Sequence, residues 1–326
     1  MDVAGAVGSI GTVRMRGWAR GPATTVPNVA PVVYCLAGGG CSTGYFDLHV
    51  HGDDTYSMTD HFVARGAVVV AIDHIGIGRS DPVDDLYAIT PTLLARCHDL
   101  ALRHVLSWLG IRNLTAGASV GGRRLVVGLG HSMGGLVATI QQGRHRSFDA
   151  LVLLGHSGAG LPDVLTNEEL TVAGPDLPSI ENEIIRLARA RFDPGSTVER
   201  KKPSIGSFFA DDVPIEVRQA FADQAAPLLP TCGLTSMIPG SAHAERAAVA
   251  VPTFVGFGDH DLIADYIDAL APYRGVRDAA LYVLDGSGHC HNQSTGRRLL
   301  WDRILAWITA IAASAAAREP ESPTVP

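Results

Sequence analysis

Six apolar runs divide the chain, and most of them end in glycine or aspartate. The runs are rich in β-branched residues and do not alternate with polar ones, a pattern typical of strands buried on both faces of a parallel sheet. They start at Pro31, Ala67, Arg124, Phe148, Val251 and Ala279. The hydrophobic pattern therefore predicts a series of buried parallel strands that extends over most of the chain.

Helical patterns lie between several of these runs. One extends over residues 91–109, opens with a proline after Thr90 and repeats apolar residues every three or four positions. A second pattern follows Met133, and a third starts at Arg297. The alternation of strands and helices predicts an α/β fold with a doubly wound, mostly parallel sheet.

The alternation stops between residues 161 and 250. Polar helical patterns start there at Glu181 and Pro214, and a turn-rich stretch at 193–206 separates them. We expect this block to be a helical cap inserted over the carboxyl edge of the sheet, and the alternative is a set of peripheral helices with no role at the site. The expected division is a core at 1–160, the cap at 161–250, the rest of the core at 251–315 and a disordered tail at 316–326.

The composition is that of an ordinary globular protein. Of the 326 residues, 46% are hydrophobic and 18% are charged, and the formal net charge is −7. This length fits one large α/β domain that carries an insertion. Because the chain is acidic and has no basic stripe, we do not expect it to bind nucleic acid.

The cysteines and apolar segments bear on the compartment. The five cysteines have no short regular spacing, which disfavours a disulfide framework or a zinc site and favours reduced thiols. The N-terminal segment has no basic region before its apolar start, and no apolar run reaches the roughly 18–20 residues of a membrane span. We expect a cytoplasmic protein that does not bind a membrane, and the sequence does not indicate its oligomeric state.

The most specific motif is Gly-His-Ser-Met-Gly-Gly at residues 130–135. A strand pattern precedes it and a helix pattern follows, which is the context that a nucleophilic serine on a strand–turn–helix elbow requires. Ser132 would lie on a strained turn, where Gly130 and Gly134 remove side chains that would collide. The N–H of Met133, at the start of the helix, would face the oxyanion that develops on a substrate.

A serine hydroxyl needs a base, and the base needs an orienting acid. In strand–turn–helix hydrolases the acid and then the histidine follow later strands. Asp259 and Asp261 follow the fifth of the apolar runs, and His289 follows the sixth. The glycine-rich loop at 37–42 offers a second oxyanion donor. These residues together predict acyl transfer through a serine.

In these motifs the chain resembles the α/β-hydrolase superfamily, in the branch that holds capped esterases, C–C bond hydrolases and cofactor-free haloperoxidases. The resemblance covers residues 31–310. The matching segments are GHSMGG from Gly130, DHIGIGRS from Asp73, GDHD from Gly258 and GSGHCH from Gly286.

The resemblance assigns roles to particular residues, and it implies no cofactor. Its nucleophile, acid and base fall on Ser132, Asp261 and His289. Its oxyanion hole falls on the N–H groups of Met133 and Gly39. The His-Gly dipeptide of the superfamily is replaced by Ala37-Gly38, so Gly38 or Gly40 is an alternative donor.

Some polar residues have a second interpretation. The carboxylates and histidines of the last two motifs are potential metal ligands, but a metal site would leave the serine elbow without a role, so we expect none. Asp73 is expected to be a structural turn residue, with a catalytic carboxylate as the alternative. His291 is expected to be a neighbour of the site or exposed to solvent. His74 and His131 either line the site or are structural.

The reaction classes of the superfamily can be narrowed. Epoxide hydrolases and haloalkane dehalogenases attack with a carboxylate where this chain has Ser132, and the His-Gly-Gly-Pro-Gly loop of proline iminopeptidases is absent. The leading prediction is the hydrolysis of small to medium alkyl or aryl carboxylic esters. The alternatives are a lactonase or a C–C bond hydrolase of aromatic degradation on the same triad, and a non-catalytic binding protein.

The substrate pocket is expected to be mostly apolar. Its main candidate lining residues are Cys41, His131, Phe208, Phe209, Phe221 and Met237. Further apolar candidates in the cap are Leu228, Leu229 and Ile238. Four arginines in the cap are either solvated or placed to meet a substrate carboxylate: Arg186, Arg189, Arg191 and Arg218.

Overall fold

The computed structural model describes residues 13–22, 30–110, 112–113, 123–174, 176–195, 208–263 and 266–316. A seven-stranded sheet runs through these residues. Its strands are β1 (Gly17–Arg20), β2 (Val32–Leu36), β3 (Val68–Ile72), β6 (Val126–His131), β7 (Ala150–Leu154), β8 (Thr253–Gly258) and β9 (Ala279–Leu284). Two short strands, β4 (Arg112–Asn113) and β5 (Arg123–Arg124), pair with each other in a separate sheet.

The strands of the large sheet follow the order β1-β3-β2-β6-β7-β8-β9. β1 pairs with β3 in antiparallel orientation, and every other pair in this sheet is parallel. The predicted α/β fold with a mostly parallel sheet is confirmed. Because helices cover both faces of such a sheet, its central strands are mainly apolar, and all five residues of β2 are buried. The strand predicted from Ala279 is apolar but not buried, because β9 lies at the sheet edge and only Leu284 in it is buried.

β1 is the strand of this sheet that the hydrophobic pattern did not predict. Its sequence is Gly-Trp-Ala-Arg, and at the sheet edge its two end residues are exposed while the middle two are half-buried. An edge strand of this kind has no apolar run to reveal it. Gly17 allows a close approach to β3, because a Cβ there would lie 2.1 Å from the carbonyl oxygen of Ala71.

Helices connect the strands on both faces. They are α1 (Met58–Ala64), α2 (Pro91–Trp108), α3 (Met133–His145), α4 (Asn167–Leu170), α5 (Leu177–Phe192), α6 (Ile215–Ala222), α7 (Pro230–Met237), α8 (His243–Ala248) and α9 (Arg297–Ala316). Short 3-10 turns occupy Thr43–Phe46, Asp54–Tyr56, Leu86–Ala88, Pro162–Val164, Ile267–Leu270 and His291–Gln293. The three predicted core helices correspond to α2, α3 and α9. α2 begins as expected, since the Thr90 hydroxyl accepts a hydrogen bond from the Leu93 N–H.

The helices α4 to α8 lie between β7 and β8, in the segment predicted to be a cap. The helical pattern from Glu181 is part of α5. The pattern over 214–229 predicts too much helix, because α6 ends at Ala222 and α7 starts only at Pro230. Pro227 accounts for the break, since proline lacks the N–H that a helix needs and disfavours helical conformation in the residue before it.

Two predicted segments fall partly outside the residues that the structure describes. These are 196–206 of the turn-rich stretch and 317–326 of the tail. Within the described part of the insertion, α8 packs against α3. The last part of the insertion therefore lies against a core helix.

Two hydrophobic cores lie on opposite faces of the sheet. Tyr34 and Phe148 belong to the first core, which also holds buried residues of α2 and α3. Phe62, Phe254 and Trp301 belong to the second, with buried residues of α1 and α9. Successive residues of one strand alternate between the two cores, as the pleat of a strand requires.

The parallel arrangement also brings several loops together. Since β2, β6, β7, β8 and β9 are parallel neighbours, their carboxyl ends meet at one edge of the sheet, where α/β proteins bind ligands. The loops that follow β2, β6, β8 and β9 carry residues 37–42, Ser132, Asp261 and His289.

Candidate active site

Ser132 lies on the tight turn between β6 and α3. Its φ is 54° and its ψ is −121°, a strained conformation for a residue with a side chain. A Cβ on Gly130 would lie 2.4 Å from the carbonyl oxygen of Gly134, and a Cβ on Gly134 would lie 2.1 Å from that of Leu36. The Ser132 N–H donates to the carbonyl of Leu154 at 2.8 Å, which ties the turn to β7. Both glycines are therefore needed for the serine to lie here.

The glycine-rich loop after β2 packs against this turn. A Cβ on Gly38 would lie 3.2 Å from the Cβ of Ser132, and a Cβ on Gly39 would lie 3.7 Å from Sδ of Met133. The Cys41 N–H closes the loop by donating to the carbonyl of Gly38 at 3.2 Å. The loop backbone thus lies beside the serine and beside the first residue of α3.

His289 pairs with Asp261 and not with Asp259. Its Nδ1 lies 2.6 Å from Oδ1 of Asp261, and both side chains are buried. Asp259 instead accepts a hydrogen bond from the Ser287 N–H at 2.9 Å. Burial acts to raise the pKa of the Asp261 carboxyl, but the imidazoles of His289 and His291 outweigh it and hold that pKa well below its usual value. Asp261 is therefore ionised at neutral pH.

His131 supports the loop that carries His289. Its Nε2–H donates to the carbonyl oxygen of His289 at 2.8 Å, and its ring stacks on Tyr45 with centroids 4.3 Å apart. Burial, reinforced by His289 and His291, lowers the pKa of His131 well below its usual value, so the ring is neutral with its proton on Nε2. Sequence reasoning missed Tyr45, whose only signal is an aromatic residue shortly after the glycine-rich loop.

Asp73 and His291 both have partners inside the protein. Asp73 accepts hydrogen bonds from the N–H groups of Thr43 at 2.7 Å and Arg79 at 2.9 Å, so it organises a turn. Nε2 of His291 lies 3.0 Å from Oδ2 of Asp261, and the side chain is buried. His291 is therefore a neighbour of the site and is not exposed to solvent.

A cavity of about 400 Å³ has both Ser132 and His289 in its wall. Its volume lies at the small end of the roughly 300–1,000 Å³ of small-molecule pockets. The six main candidates of the sequence analysis all line it: Cys41, His131, Phe208, Phe209, Phe221 and Met237. So do Gly39, Gly40, Met133 and Leu228, together with residues that the sequence did not single out, Leu161, Val164, Phe192 and Leu262. The expectation was wrong for Leu229 and Ile238, which lie in the first hydrophobic core.

Among the described residues, two backbone hydrogen bonds join the insertion to the loops of the site. The Phe208 carbonyl accepts from the Cys290 N–H at 2.9 Å, and the Phe208 ring lies edge-on to His289 with centroids 6.0 Å apart. The Ala226 N–H donates to the carbonyl of Gly40 at 2.8 Å. The insertion is thus bonded to the loop after β2 and to the loop after β9.

The four arginines that the sequence analysis named in the insertion all have partners within the protein. Arg191, in the cavity wall, is buried and donates to both carboxylate oxygens of Glu169, at 2.9 and 2.7 Å. The other three, Arg186, Arg189 and Arg218, bind respectively to Glu168 and Glu183, to Asp85, and to the backbone carbonyls of Ala210 and Val213. The charge in the cavity wall is therefore a paired one, which favours an uncharged ligand.

Two features of the residues that the structure describes bear on metal ions and membranes. Among these residues, no group of three or more His, Cys, Asp or Glu side chains is arranged to hold a metal ion. None of the described helices combines the length and the apolarity that a bilayer crossing needs.

Comparison with known families identifies the fold and its relatives. The model of a family described as "Alpha/beta hydrolase family" matches residues 33–302, which is most of the chain. The chain belongs to the alpha/beta hydrolase family. The resemblance stated from the sequence motifs is therefore confirmed. No curated protein sequence matches the chain.

Solved structures with this fold include esterases. A thermophilic esterase from Thermogutta terrifontis has a TM-score of 0.62 and 16% identity, over 96% of this chain and 98% of that one. An esterase from Exiguobacterium antarcticum has a TM-score of 0.57 and 18% identity, over 91% and 96%. A bromoperoxidase from Bacillus anthracis has a TM-score of 0.58 and 16% identity, over 92% and 96%. At such low identity these similarities show the fold alone.

Proposed function

We propose that this alpha/beta hydrolase cleaves carboxylic esters through an acyl-enzyme on Ser132. One observation carries the proposal. Ser132 and His289 line the same cavity, and His289 is held by the buried carboxylate of Asp261. A nucleophile, a base and an orienting acid in this relation are the constellation of serine acyl transfer.

The acylation step uses these three side chains and two backbone N–H groups. Nε2 of His289 takes the proton of the Ser132 hydroxyl while the serine oxygen attacks the ester carbonyl. Asp261 accepts from Nδ1, which leaves Nε2 free to act as the base and stabilises the imidazolium that forms. The N–H groups of Met133 and Gly39 hold the oxyanion. His289 then returns the proton to the leaving alcohol, and the acyl group stays on the serine.

The deacylation step repeats this chemistry with water. His289 takes a proton from a water molecule, whose oxygen attacks the acyl carbonyl, and the oxyanion forms in the same place. Collapse of the tetrahedral intermediate returns the proton to the Ser132 oxygen and releases a carboxylic acid. One water is consumed and the protein ends as it began.

The cavity supports a substrate of small to medium size without charge. It holds about 400 Å³, its side chains are mainly aromatic and aliphatic, and its arginine is paired with Glu169. Residues 161–250 act in this proposal as the cap, because Phe208, Phe221 and Met237 of this segment face the cavity. Uncharged alkyl or aryl esters fit this description best.

The nucleophile is tested by covalent labelling. A fluorophosphonate should form one adduct, on the peptide that contains Ser132, and Ser132→Ala should abolish both the adduct and ester hydrolysis. An adduct on another residue, or unchanged hydrolysis by Ser132→Ala, would overturn the assignment of the nucleophile. Labelling also separates an enzyme from a non-catalytic binding protein.

The reaction class is tested with substrates. A panel of p-nitrophenyl esters of graded acyl length should be hydrolysed, with the highest kcat/KM for short to medium chains. Lactones and a vinylogous diketone belong in the same panel, because a lactonase or a C–C bond hydrolase would prefer them. If kcat/KM is higher for the diketone than for every ester, the proposed reaction class changes from ester hydrolysis to C–C bond cleavage.

A further inference from the structure

A chain of three buried side chains leads from the first hydrophobic core to the glycine-rich loop. The Tyr34 hydroxyl lies 2.8 Å from Nδ1 of His98, and Nε2 of His98 lies 2.7 Å from Nδ1 of His74. Nε2 of His74 lies 2.9 Å from the carbonyl oxygen of Ala37. All three side chains are buried, and the proposed reaction uses none of them.

The geometry determines where every proton in this chain lies. A carbonyl oxygen only accepts, so Nε2 of His74 carries a proton and donates to Ala37. Burial lowers the pKa of His74 and, more strongly, that of His98, so both rings are neutral. Nδ1 of the neutral His74 must then accept from Nε2–H of His98, and Nδ1 of His98 must accept from the Tyr34 hydroxyl. The hydrogen bonds thus run in one direction, from Tyr34 to Ala37.

The hydrogen bond from His74 to Ala37 matters because few other interactions fix the position of the glycine-rich loop. From Ala37 to Gly40 no side chain is larger than a methyl group, so hydrogen bonds to its carbonyls must fix its position. Those bonds come from His74 to Ala37, from the Cys41 N–H to Gly38, from the Cys41 thiol to Gly39 at 3.8 Å, and from Ala226 to Gly40. A thiol is a weak donor, so among these bonds His74 supplies the one strong side-chain donor.

The Ala37 carbonyl is also close to the reacting groups. A Cβ on Gly134 would lie 2.5 Å from its oxygen, so the first turn of α3 packs directly on it. The next residue, Gly38, packs against Ser132. A shift of the 37–38 peptide therefore changes the distance between the loop N–H groups and the serine. Misplacement by about 1 Å is enough to cost on the order of 100-fold in rate.

We infer that His74, oriented by His98 and Tyr34, is a positioning residue for the oxyanion hole. The inference rests on the proposed ester hydrolysis, and it assigns a role in that reaction to the three buried residues Tyr34, His98 and His74. His74 does not touch the substrate. It holds the Ala37–Gly38 peptide, which adjoins the loop N–H groups that would stabilise the transition state.

The test compares His74→Phe, which has no donor, with His74→Gln, whose amide both donates to Ala37 and accepts from His98. In His74→Phe we expect kcat for p-nitrophenyl butyrate to fall about 10- to 100-fold with KM within about threefold of wild type, since a lost oxyanion donor costs about 10²–10³. Affinity for a trifluoromethyl ketone should fall by the same factor as kcat, because it resembles the tetrahedral intermediate. His74→Gln should recover most of both.

Thr253→Val is the matched control. It removes a partly buried hydrogen bond from the Thr253 hydroxyl to the Val251 carbonyl. This bond lies at the start of β8, at the end of the strand remote from Asp261, so the substitution should lower Tm without changing kcat. A wild-type kcat in His74→Phe would overturn the inference. So would a folded His74→Gln that loses as much activity as His74→Phe.

Two further measurements keep the test decisive. If His74→Phe does not fold, Tyr34→Phe tests the same chain from its far end. A fall in kcat at unchanged KM then supports the inference, and a wild-type kcat overturns it. The rate of Ser132 labelling by a fluorophosphonate must follow kcat across the variants. If the wild-type protein hydrolyses esters and every variant has the same kcat, the inference fails and the proposed function stands. If the wild-type protein neither hydrolyses esters nor reacts with the fluorophosphonate, the proposed function and the inference both fail.

Discussion

The imidazole of His291 lies 3.0 Å from Oδ2 of Asp261, the carboxylate oxygen that His289 does not use. A buried carboxylate is costly unless its oxygens are hydrogen-bonded. His291 meets this need because it supplies a donor that is itself buried. The acid thus has one histidine on each oxygen, and the two histidines serve different purposes.

Removal of the His291 donor should affect stability more than chemistry. His291→Phe leaves Oδ2 of a buried carboxylate with only a long contact, 3.4 Å, to the Gly258 N–H. The free energy of unfolding should fall by about 1–3 kcal/mol, the cost of an unsatisfied buried acceptor. His291→Gln, which keeps a donor, should lose less. Urea unfolding measures both variants, and a His291→Phe as stable as wild type would contradict this role.

Asp261→Asn should lose orders of magnitude in kcat, whereas Asp259→Asn should not. An asparagine at 261 leaves the His289 ring in the wrong tautomer, which costs about 10⁴ in kcat in the serine protease for which this change was measured. The Asp259 carboxylate accepts from the Ser287 N–H and lies 3.2 Å from Nδ1 of the exposed His260, and it has no contact with His289, so its replacement should cost some stability and little activity. Steady-state kinetics and Tm of the two variants make the comparison. The reverse pattern would move the acid to Asp259.

Gly39→Ala should lower activity in a way that a second substitution relieves. A Cβ on Gly39 would lie 2.7 Å from Cδ1 of Leu228, the flexible end of a side chain. We expect kcat to fall about tenfold, because the loop is pushed from its place, and we expect Gly39→Ala in a Leu228→Ala background to cost much less. Gly38→Ala is the control, since its Cβ would meet Nδ1 of His131 at 2.8 Å. The coupling between Gly39 and Leu228 would be contradicted if Leu228→Ala did not restore the kcat of Gly39→Ala. It would also be contradicted if Leu228→Ala restored the kcat of Gly38→Ala equally well.

Phe221→Ala should change which ester is preferred. The ring lines the cavity and packs edge-on against Phe209, with centroids 5.5 Å apart, so its removal should raise the relative kcat/KM of longer acyl chains and leave the shortest ester nearly unaffected. Phe208→Ala should instead slow all esters, because that ring contacts His289. Phe254→Leu, in the second core, is the control for general loosening. Equal losses on every ester in Phe221→Ala would show that this ring is only structural.

The buried histidines should make the fold sensitive to mild acid. Burial lowers the pKa values of His74, His98, His131 and His156. Between those lowered values and about 6.5, the value in an unfolded chain, the unfolded state binds more protons, so stability falls as the pH falls. Each histidine contributes up to about 1.4 kcal/mol per pH unit in this window.

Urea unfolding between pH 8 and pH 5 measures this slope. The free energy of unfolding should be nearly constant above about pH 7.5 and should decrease steadily below about pH 6.5. Asp261 adds nothing here, because a carboxyl with a lowered pKa loses its stabilising effect only below about pH 4. His156→Gln should reduce the slope, and Thr253→Val, which removes no titratable group, should not. A flat profile down to pH 5.5 would contradict the prediction.

Local patterns were sufficient to predict much of the fold and which residues lie together at the candidate site. The run before Ser132, the two glycines around it and the helix after it are within a few residues of one another, so their pattern is visible in the sequence. The same holds for the apolar strands that precede Asp261 and His289. Spacing alone, however, did not separate Asp259 from Asp261, because only the three-dimensional path of the turn decides which carboxylate meets the histidine.

Contacts between distant segments were not predictable in this way. His74 and the carbonyl of Ala37 are 37 residues apart, and the Arg191 and Glu169 side chains are 22 apart. Such pairs depend on how helices and loops pack, and neither partner has a local signature. β1 was missed for a related reason. Its four residues form a strand because they pair with β3, and their own sequence has no strand pattern.

The two backbone hydrogen bonds between the insertion and the loops of the site restrict how this protein can be engineered or can diverge. A chimera that exchanged residues 161–250 for the same segment of a relative would lose the bond from Cys290 to Phe208 and the bond from Ala226 to Gly40 unless the donor segment supplied backbone groups at the same two points. Under the proposed function, the segment that selects the substrate is thus hydrogen-bonded to the loops that carry the reacting groups. New substrates are more accessible through side-chain changes within the existing segment than through its replacement.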